Sequence, residues 1–167
     1  VTRYDGKVFQ QLTRQDGPLS NGITHILQDD PDDFWFATKG GLIRYRPQHA
    51  PPTLRLKDVI VDRSYGPVDE LQLTRLHPLL TVEFQGASWS TRPDGIAYVY
   101  CLEGFDADWR TTYERRVVYQ DLPLGEYAFQ VKAVDRDLNY SEPVTVRLTV
   151  VPDLHIEALN EALSLTG

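Results

Sequence analysis

The chain has 167 residues, a quarter of them charged, and a formal net charge of −7. That length carries one good hydrophobic core, or one domain with an attached piece, and the composition is that of an ordinary globular protein. Lys and Arg number 17 against 24 Asp and Glu, with no basic cluster, which excludes the Lys/Arg-rich faces that nucleic acids and anionic membranes reward.

In chain order, the first fifty residues predict four short strands. These are Lys7–Leu12 after the turn Asp5-Gly6, Gly22–Leu27, Phe34–Thr38 and Gly41–Tyr45, separated by Asp16-Gly17-Pro18, Ser20-Asn21-Gly22, Asp29–Asp33 and Lys39-Gly40-Gly41. Four strands in about 45 residues is the size of one β-propeller blade. Residues 47–52, Pro47-Gln48-His49-Ala50-Pro51-Pro52, form a proline-rich linker or stiff corner. Strand patterns then recur at Thr53–Val61, Glu70–Leu73, Leu79–Phe84, Ile96–Leu102, Arg116–Tyr119, Glu126–Asp135 and Val144–Val151. Alternation is clearest where Tyr127, Phe129, Val131 and Ala133 interleave with Ala128, Gln130, Lys132 and Val134. About seven strands in about 100 residues predict an immunoglobulin-like or fibronectin-like β-sandwich. Leu122-x-x-Gly125-x-Tyr127 looks like the tyrosine corner of such folds, in which the phenol bonds back to upstream backbone.

From Asp153 to Leu165 the period becomes helical, with Ile156, Leu159 and Leu163 at i, i+3 and i+7. This tail is either a short helix lying on the domain or a connector. The expected division is 1–50 blade-like segment, 51–152 sandwich and 153–167 helical tail. Methionine is absent, even at position 1, and the chain starts within a pattern at Val1-Thr2-Arg3-Tyr4, so it reads as an excerpt of a longer polypeptide.

The first segment resembles the two-component regulator propeller repeat through Asn21, Ile23, Ile26, Asp29, Trp35, Phe36, Thr38, Gly40, Gly41, Leu42 and Tyr45. One departure is Asp32 or Asp33 in place of the turn glycine before the Trp, where Asp tolerates left-handed geometry. The second segment resembles the three-Y (Y_Y_Y) domain through Tyr98, Tyr100, Leu102-Glu103-Gly104-Phe105, Trp109, Tyr119, Leu122, Gly125 and Tyr127. The resemblance implies the extracytoplasmic, periplasmic sensor half of a hybrid two-component protein, a non-catalytic module of signal transduction. It also implies oligosaccharide ligands, and a transmembrane helix and histidine kinase downstream. Here Val151-Pro152-Asp153 and a polar amphipathic tail replace the Pro-Pro-Phe-Trp-like ending of many members.

The residues themselves offer little reactive chemistry. Cys101, the single cysteine, alternates with Tyr100 and Leu102 in an apolar strand and reads as a buried structural thiol. His25, His49, His77 and His155 lack ligand spacing, so no metal site is expected. His25 is in register with Ile23 and Leu27 on one strand face. The run Asp29-Asp30-Pro31-Asp32-Asp33 lacks the spacing of a calcium loop and reads as a solvated hairpin turn. Asp106 and Asp108, which flank one Ala, read as turn residues pointing into water rather than a glycosidase pair. No catalytic or cofactor-binding residue is assigned.

The candidate ligand contacts are Trp89, Arg92, Trp109, Arg110 and Tyr113, because aromatic faces stack on sugar rings and Arg adds fixed donors. The competing reading has Trp109 plugging one end of the sandwich and Trp89 folded over the core edge. Tyr98, Tyr100, Tyr119, Tyr127, Gly125 and Trp35 read as structural. A lone blade leaves Ile23, Ile26, Trp35, Phe36 and Leu42 without a neighbouring blade, which predicts a homo-oligomer formed through that segment. The expected function is a non-catalytic sensor or signal-transmitting module of a bacterial two-component regulator. The alternative is a carbohydrate-binding accessory module of a secreted polysaccharide-degrading enzyme.

Overall fold

The structure, a computed structural model, describes residues 1–16 and 22–166, so the turn at Gly17-Pro18 and the repeat residue Asn21 fall outside it. The chain opens with a hairpin of β1 (Thr2–Tyr4) and β2 (Phe9–Gln11). Gly6, at φ +99°, supplies the left-handed turn, and the Asp5 carboxylate accepts the N–H groups of Lys7 and Val8. Tyr4 stacks on Phe9 with ring centroids 4.2 Å apart. A second sheet follows as an antiparallel meander of β3 (Ile23–Asp30), β4 (Asp33–Thr38) and β5 (Gly41–Tyr45). The four strands expected as one unit are therefore divided. The strand around Phe9 pairs with the unforeseen β1, because a partner four residues away closes a far shorter loop than β3 does.

The Asp run forms the solvated hairpin turn expected of it at Asp29, Asp30, Pro31 and Asp32, all exposed, and departs from that only at Asp33. Asp33 is buried and its carboxylate binds Arg44 and Arg46. The Arg44 hydrogen bond, working against burial and aided by Arg46, holds that carboxyl at about 2. Neither Asp32 nor Asp33 takes the left-handed conformation suggested for it. Arg44 also lies over Trp35, its cross-strand partner, 5.1 Å from the ring centroid.

After the linker come β6 (Thr53–Ile60), β7 (Glu70–Thr74), β8 (Leu79–Ala87), β9 (Ala97–Glu103), β10 (Arg110–Thr112), β11 (Arg116–Gln120), β12 (Gly125–Val134) and β13 (Val144–Val151). They form two sheets, a five-stranded one ordered β10-β9-β12-β13-β7 and a three-stranded one ordered β11-β8-β6. All pairs are antiparallel except β13 with β7. Period-two alternation sends Leu80, Val82 and Phe84 from one sheet and Tyr127, Phe129, Val131 and Ala133 from the other into a shared core. The fold is an all-β sandwich with one short helix.

β9 is apolar on both faces, and the reason is structural. Tyr98 and Leu102 face the core, whereas Ala97 and Val99 face outward and are covered by Val8 of the N-terminal segment. Cys101 shares that outer face and is buried, and burial pushes its thiol up. β10 has no counterpart among the strand patterns of the sequence. Arg110-Thr111-Thr112 is an edge strand without apolar side chains, so it carries no alternating pattern to read.

Two close approaches fix the sandwich. Gly86 continues the inward series of β8 with no side chain; a Cβ there would lie 3.1 Å from the Ala133 Cβ and 3.3 Å from the Tyr98 ring. Its N–H donates to the Tyr98 hydroxyl at 3.0 Å. At the opposite end the Tyr127 hydroxyl donates to the Pro123 carbonyl at 2.8 Å, which is the tyrosine corner. Gly104, at φ +92°, lies beneath that ring. Asp106, expected to face water, is half-buried with its side chain turned inward: it accepts the Leu102 N–H at 2.9 Å and the Tyr119 hydroxyl at 2.6 Å, and pairs with Arg110 at 3.8 Å. It closes the Leu102–Phe105 turn onto the core.

The tail forms α1 (Leu154–Ser164). Its described apolar side chains, Leu154, Ala158, Ala162 and Leu163, are exposed, as is Leu165 just beyond it. The side chains of Ile156 and Leu159 lie outside the described residues. Among the described residues no helix is long and apolar enough to cross a membrane.

Candidate functional site: the junction of the N-terminal segment with the sandwich

The β12–β13 connection, Asp135 to Tyr140, is built as a socket. Asp135 is fully buried and its carboxylate accepts the N–H groups of Asp137 and Asn139 and the Asn139 side-chain amide, each at 2.9 Å. Leu138 takes φ +66°, a conformation leucine adopts only when its surroundings impose it. The loop so fixed presents Arg136, Asp137, Asn139 and Tyr140 to the N-terminal segment.

Each of these four side chains takes a partner there. Asp137 accepts the Tyr45 hydroxyl from β5 and the Gln48 N–H from the linker, the latter at 3.1 Å. Asn139 donates to the Gln48 carbonyl at 2.6 Å. Arg136 donates to the Asp16 carbonyl at 3.2 Å and pairs with its carboxylate at 3.4 Å. The Tyr140 hydroxyl donates to Asp5. Beside the socket, Gln10 donates its amide to the Val134 carbonyl at 3.0 Å, and the Tyr113 hydroxyl donates to the Phe9 carbonyl. Val8, 0% exposed, fills the apolar notch of Ala97, Val99 and Val134. Burying such a side chain stabilises by roughly 1.5–3 kcal/mol.

The charges of the junction are unequally compensated. The Asp137 side chain is 1% exposed, with Arg3 at 3.7 Å and Arg136 at 3.9 Å, beyond hydrogen-bond reach. Burial pushes its carboxyl above the ordinary range, the Gln48 N–H and Arg3 pull it back only in part, and the nearby Asp16 charge adds to the rise. Asp5 and Asp16 go the other way. Burial opposes their ionisation, but hydrogen bonds from Tyr140, Val8 and Lys7 to Asp5, and from Thr13 and Arg136 to Asp16, outweigh it, so both lie below the usual carboxylate range.

The residues singled out as ligand contacts are only partly assembled. Arg92 and Tyr113 line one cleft of about 360 Å³ beside the junction, together with Phe9, Gln15 and Asp94. Arg92 donates to Gln15 at 2.6 Å and stands 3.6 Å from Asp94. Trp89 is 101% exposed and does not fold over the core edge. Trp109 does not plug the sandwich end; it is 41% exposed, with the Lys132 ammonium 5.5 Å from its ring centroid on the outer face of the five-stranded sheet. Arg110 is taken up by Asp106. Trp35 lines a shallow apolar hollow of about 300 Å³ with His25, Leu27, Ala37 and Leu42 on the β3–β5 sheet. Tyr98, Tyr119 and Tyr127 are buried and Tyr100 half-buried, 6.3 Å from the Phe129 ring. Among the described residues no group of three His, Cys, Asp or Glu is placed to hold a metal ion.

The socket does not appear among the elements and candidate residues that the sequence points to. Its one local signal is an Asp-x-Asp-x-Asn loop rich in side-chain acceptors and donors, a composition that ordinary turns share.

No curated protein matches the chain. Two solved structures from B. thetaiotaomicron share its fold: the extracellular domain of BT3049, assigned as a hybrid two component system, and the extracellular domain of BT4673, assigned as a one component system. The first is 20% identical with a TM-score of 0.53, covering 77% of this chain and 20% of that one. The second is 18% identical with a TM-score of 0.54, covering 89% of this chain and 22% of that one. The chain thus spans about a fifth of the length of either structure. Residues 90–151, which contain β9 to β13, the tyrosine corner and the socket, match the Y_Y_Y domain.

Proposed function

We propose that this chain is a non-catalytic, extracytoplasmic sensor module of a bacterial two-component regulator, and that its sandwich passes on the position of the segment before it. The observation that carries this reading is the socket: four side chains of one loop grip the N-terminal segment and linker through directed polar bonds. A tether that only joined two modules would need no such grip. The Y_Y_Y match and the fold shared with two extracellular domains of assigned regulatory systems support it. In this reading β3–β5 is a propeller-blade-like sheet, residues 51–152 form the transmitting sandwich, and the apolar hollow around Trp35 meets a second copy of the chain.

The test is made in the full-length parent. Asn139→Ala with Tyr140→Phe, which release the bonds to Gln48 and Asp5 together with the Asn139–Asp135 bond within the loop, should abolish stimulus-evoked output while basal output persists. Undiminished output from a released junction would refute the reading.

The cleft that joins Phe9 and Tyr113 to Arg92 and Gln15 favours a second reading, a carbohydrate-binding accessory module, because rings flanked by amide and guanidinium groups suit a sugar. Glycan-array binding lost in Tyr113→Ala would favour it over the sensor.

A further inference from the structure

We propose that Asp137 makes the junction an acid-tightened latch: with its buried carboxyl protonated, the socket holds residues 1–48 more firmly than with it ionised. The inference rests on the junction reading above and adds its regulation.

The groups facing Asp137 come from every element around it. Tyr45 of β5 and Gln48 of the linker donate to it. Arg3 of β1 and Arg136 of its own loop stand 3.7 and 3.9 Å away. Asp16, on the turn after β2, engages Arg136 from the other side, and Asp135 lies beneath, anchored to the loop N–H groups. Two atoms that would complete ion pairs with Asp137, Arg3 Nη1 and Arg136 Nε, are buried with no hydrogen-bond partner. Charge-assisted bonds close at about 2.7–2.9 Å, so neither cation is hydrogen-bonded to Asp137, and Arg136 is shared with Asp16. The ionised carboxyl is therefore removed from water with two hydrogen-bond donors and two cations held at ion-pair range without a hydrogen bond, which offsets its desolvation only in part, whereas the neutral carboxyl still accepts from Tyr45 and Gln48 without that desolvation cost.

The pH dependence follows from the three junction carboxyls. Released, Asp137 meets water and titrates near about 3.9; docked, it titrates higher. Its contribution to docking is full below the released value and is lost as pH rises through the docked value. Asp5 and Asp16, lowered when docked, contribute above their released values and lose that contribution as pH falls through their docked ones. The hold is then greatest in a mildly acidic window between the two effects. His49, beside Gln48, lies 3.1 Å from Asp32.

The test is amide hydrogen exchange of Gln48 and of residues 2–11, followed by NMR from about pH 3 to about pH 8 and corrected for intrinsic exchange. Protection in the wild-type chain should peak on the acid side and decline toward neutrality, roughly tenfold for each pKa unit separating docked from released Asp137. Asp137→Asn keeps an oxygen acceptor but cannot ionise; it should lose the neutral-side decline and keep the acid-side loss. His49→Gln should keep the wild-type profile. A flat wild-type profile, or a decline that survives in Asp137→Asn or vanishes in His49→Gln, overturns the latch. Should Asp137→Asn fail to fold, the carboxyl ¹³C titration of wild-type Asp137 decides: a midpoint above the ordinary aspartate value supports the latch, and one at or below it overturns it. Protection at any single pH reports whether the segment is docked at all, so an unprotected Gln48 sinks the junction reading, and a protected Gln48 with no slope sinks the latch alone.

Discussion

The two sheets of the sandwich and the two sides of the junction are joined by different physics. Between the sheets, Phe84, Tyr98, Tyr119 and Phe129 meet as rings 4.9 to 6.3 Å apart within one continuous apolar cluster. At the junction, one valine and a handful of directed bonds connect residues 1–48 to the loop Asp135–Tyr140. Apolar burial is non-directional and unfolds cooperatively. A polar contact contributes a net of about 1 kcal/mol and is lost when its geometry shifts. The junction is accordingly expected to open at a free energy below that of global unfolding of the sandwich.

The largest effect expected comes from the core. Phe129 lies at the centre of the ring cluster, fully buried. Phe129→Ala should destabilise by roughly 3–5 kcal/mol, seen as a lowered midpoint in chemical denaturation. A loss below 1 kcal/mol would mean that the rings are not the centre of stability. Tyr127→Phe removes only the hydroxyl bonded to Pro123 and should cost roughly 1–3 kcal/mol in the same measurement. An unchanged midpoint would remove the tyrosine corner from the account.

The same contrast decides what could be read from the chain. The strands of the sandwich announce themselves because alternation is local: Tyr127, Phe129, Val131 and Ala133 show it within seven residues of sequence. The corner is visible for the same reason, since the bond from Tyr127 reaches back only four residues. Polar roles are not local. An Asp in a turn looks alike whether it faces water or points inward, so Asp33, Asp106 and Asp137 were not distinguished from solvated neighbours. Asp137 meets Tyr45 across 92 residues of sequence and Gln48 across 89, a separation that no periodicity encodes. Of the five proposed ligand contacts only Arg92 and Tyr113 converge, because exposure and residue type give no direction to a side chain.

Val8 separates the regions most cleanly, since it is the apolar part of the junction. Val8→Ala removes two methyl groups from the notch formed by Ala97, Val99 and Val134, at about 0.8 kcal/mol for each. Hydrogen exchange of residues 2–11 should accelerate by roughly tenfold, while the denaturation midpoint of the sandwich stays in place. A midpoint that falls as far as that of Tyr127→Phe would show that segment and sandwich unfold as one unit, and the distinction between core and junction would fail.

The smallest effect on stability is expected where the chain shows an apolar surface that neither region covers. Leu27 and Leu42 are 63% and 66% exposed on either side of Trp35. Changing both to Ser removes no core contact, so stability should move by less than about 0.5 kcal/mol. If a second copy covers this hollow, the double variant should scatter light as a monomer at concentrations where the wild-type chain scatters as a dimer, because desolvation of these side chains is the association energy. If wild type and variant both remain monomeric, the β3–β5 face does not join two copies, and the propeller-blade-like segment needs an explanation other than self-association.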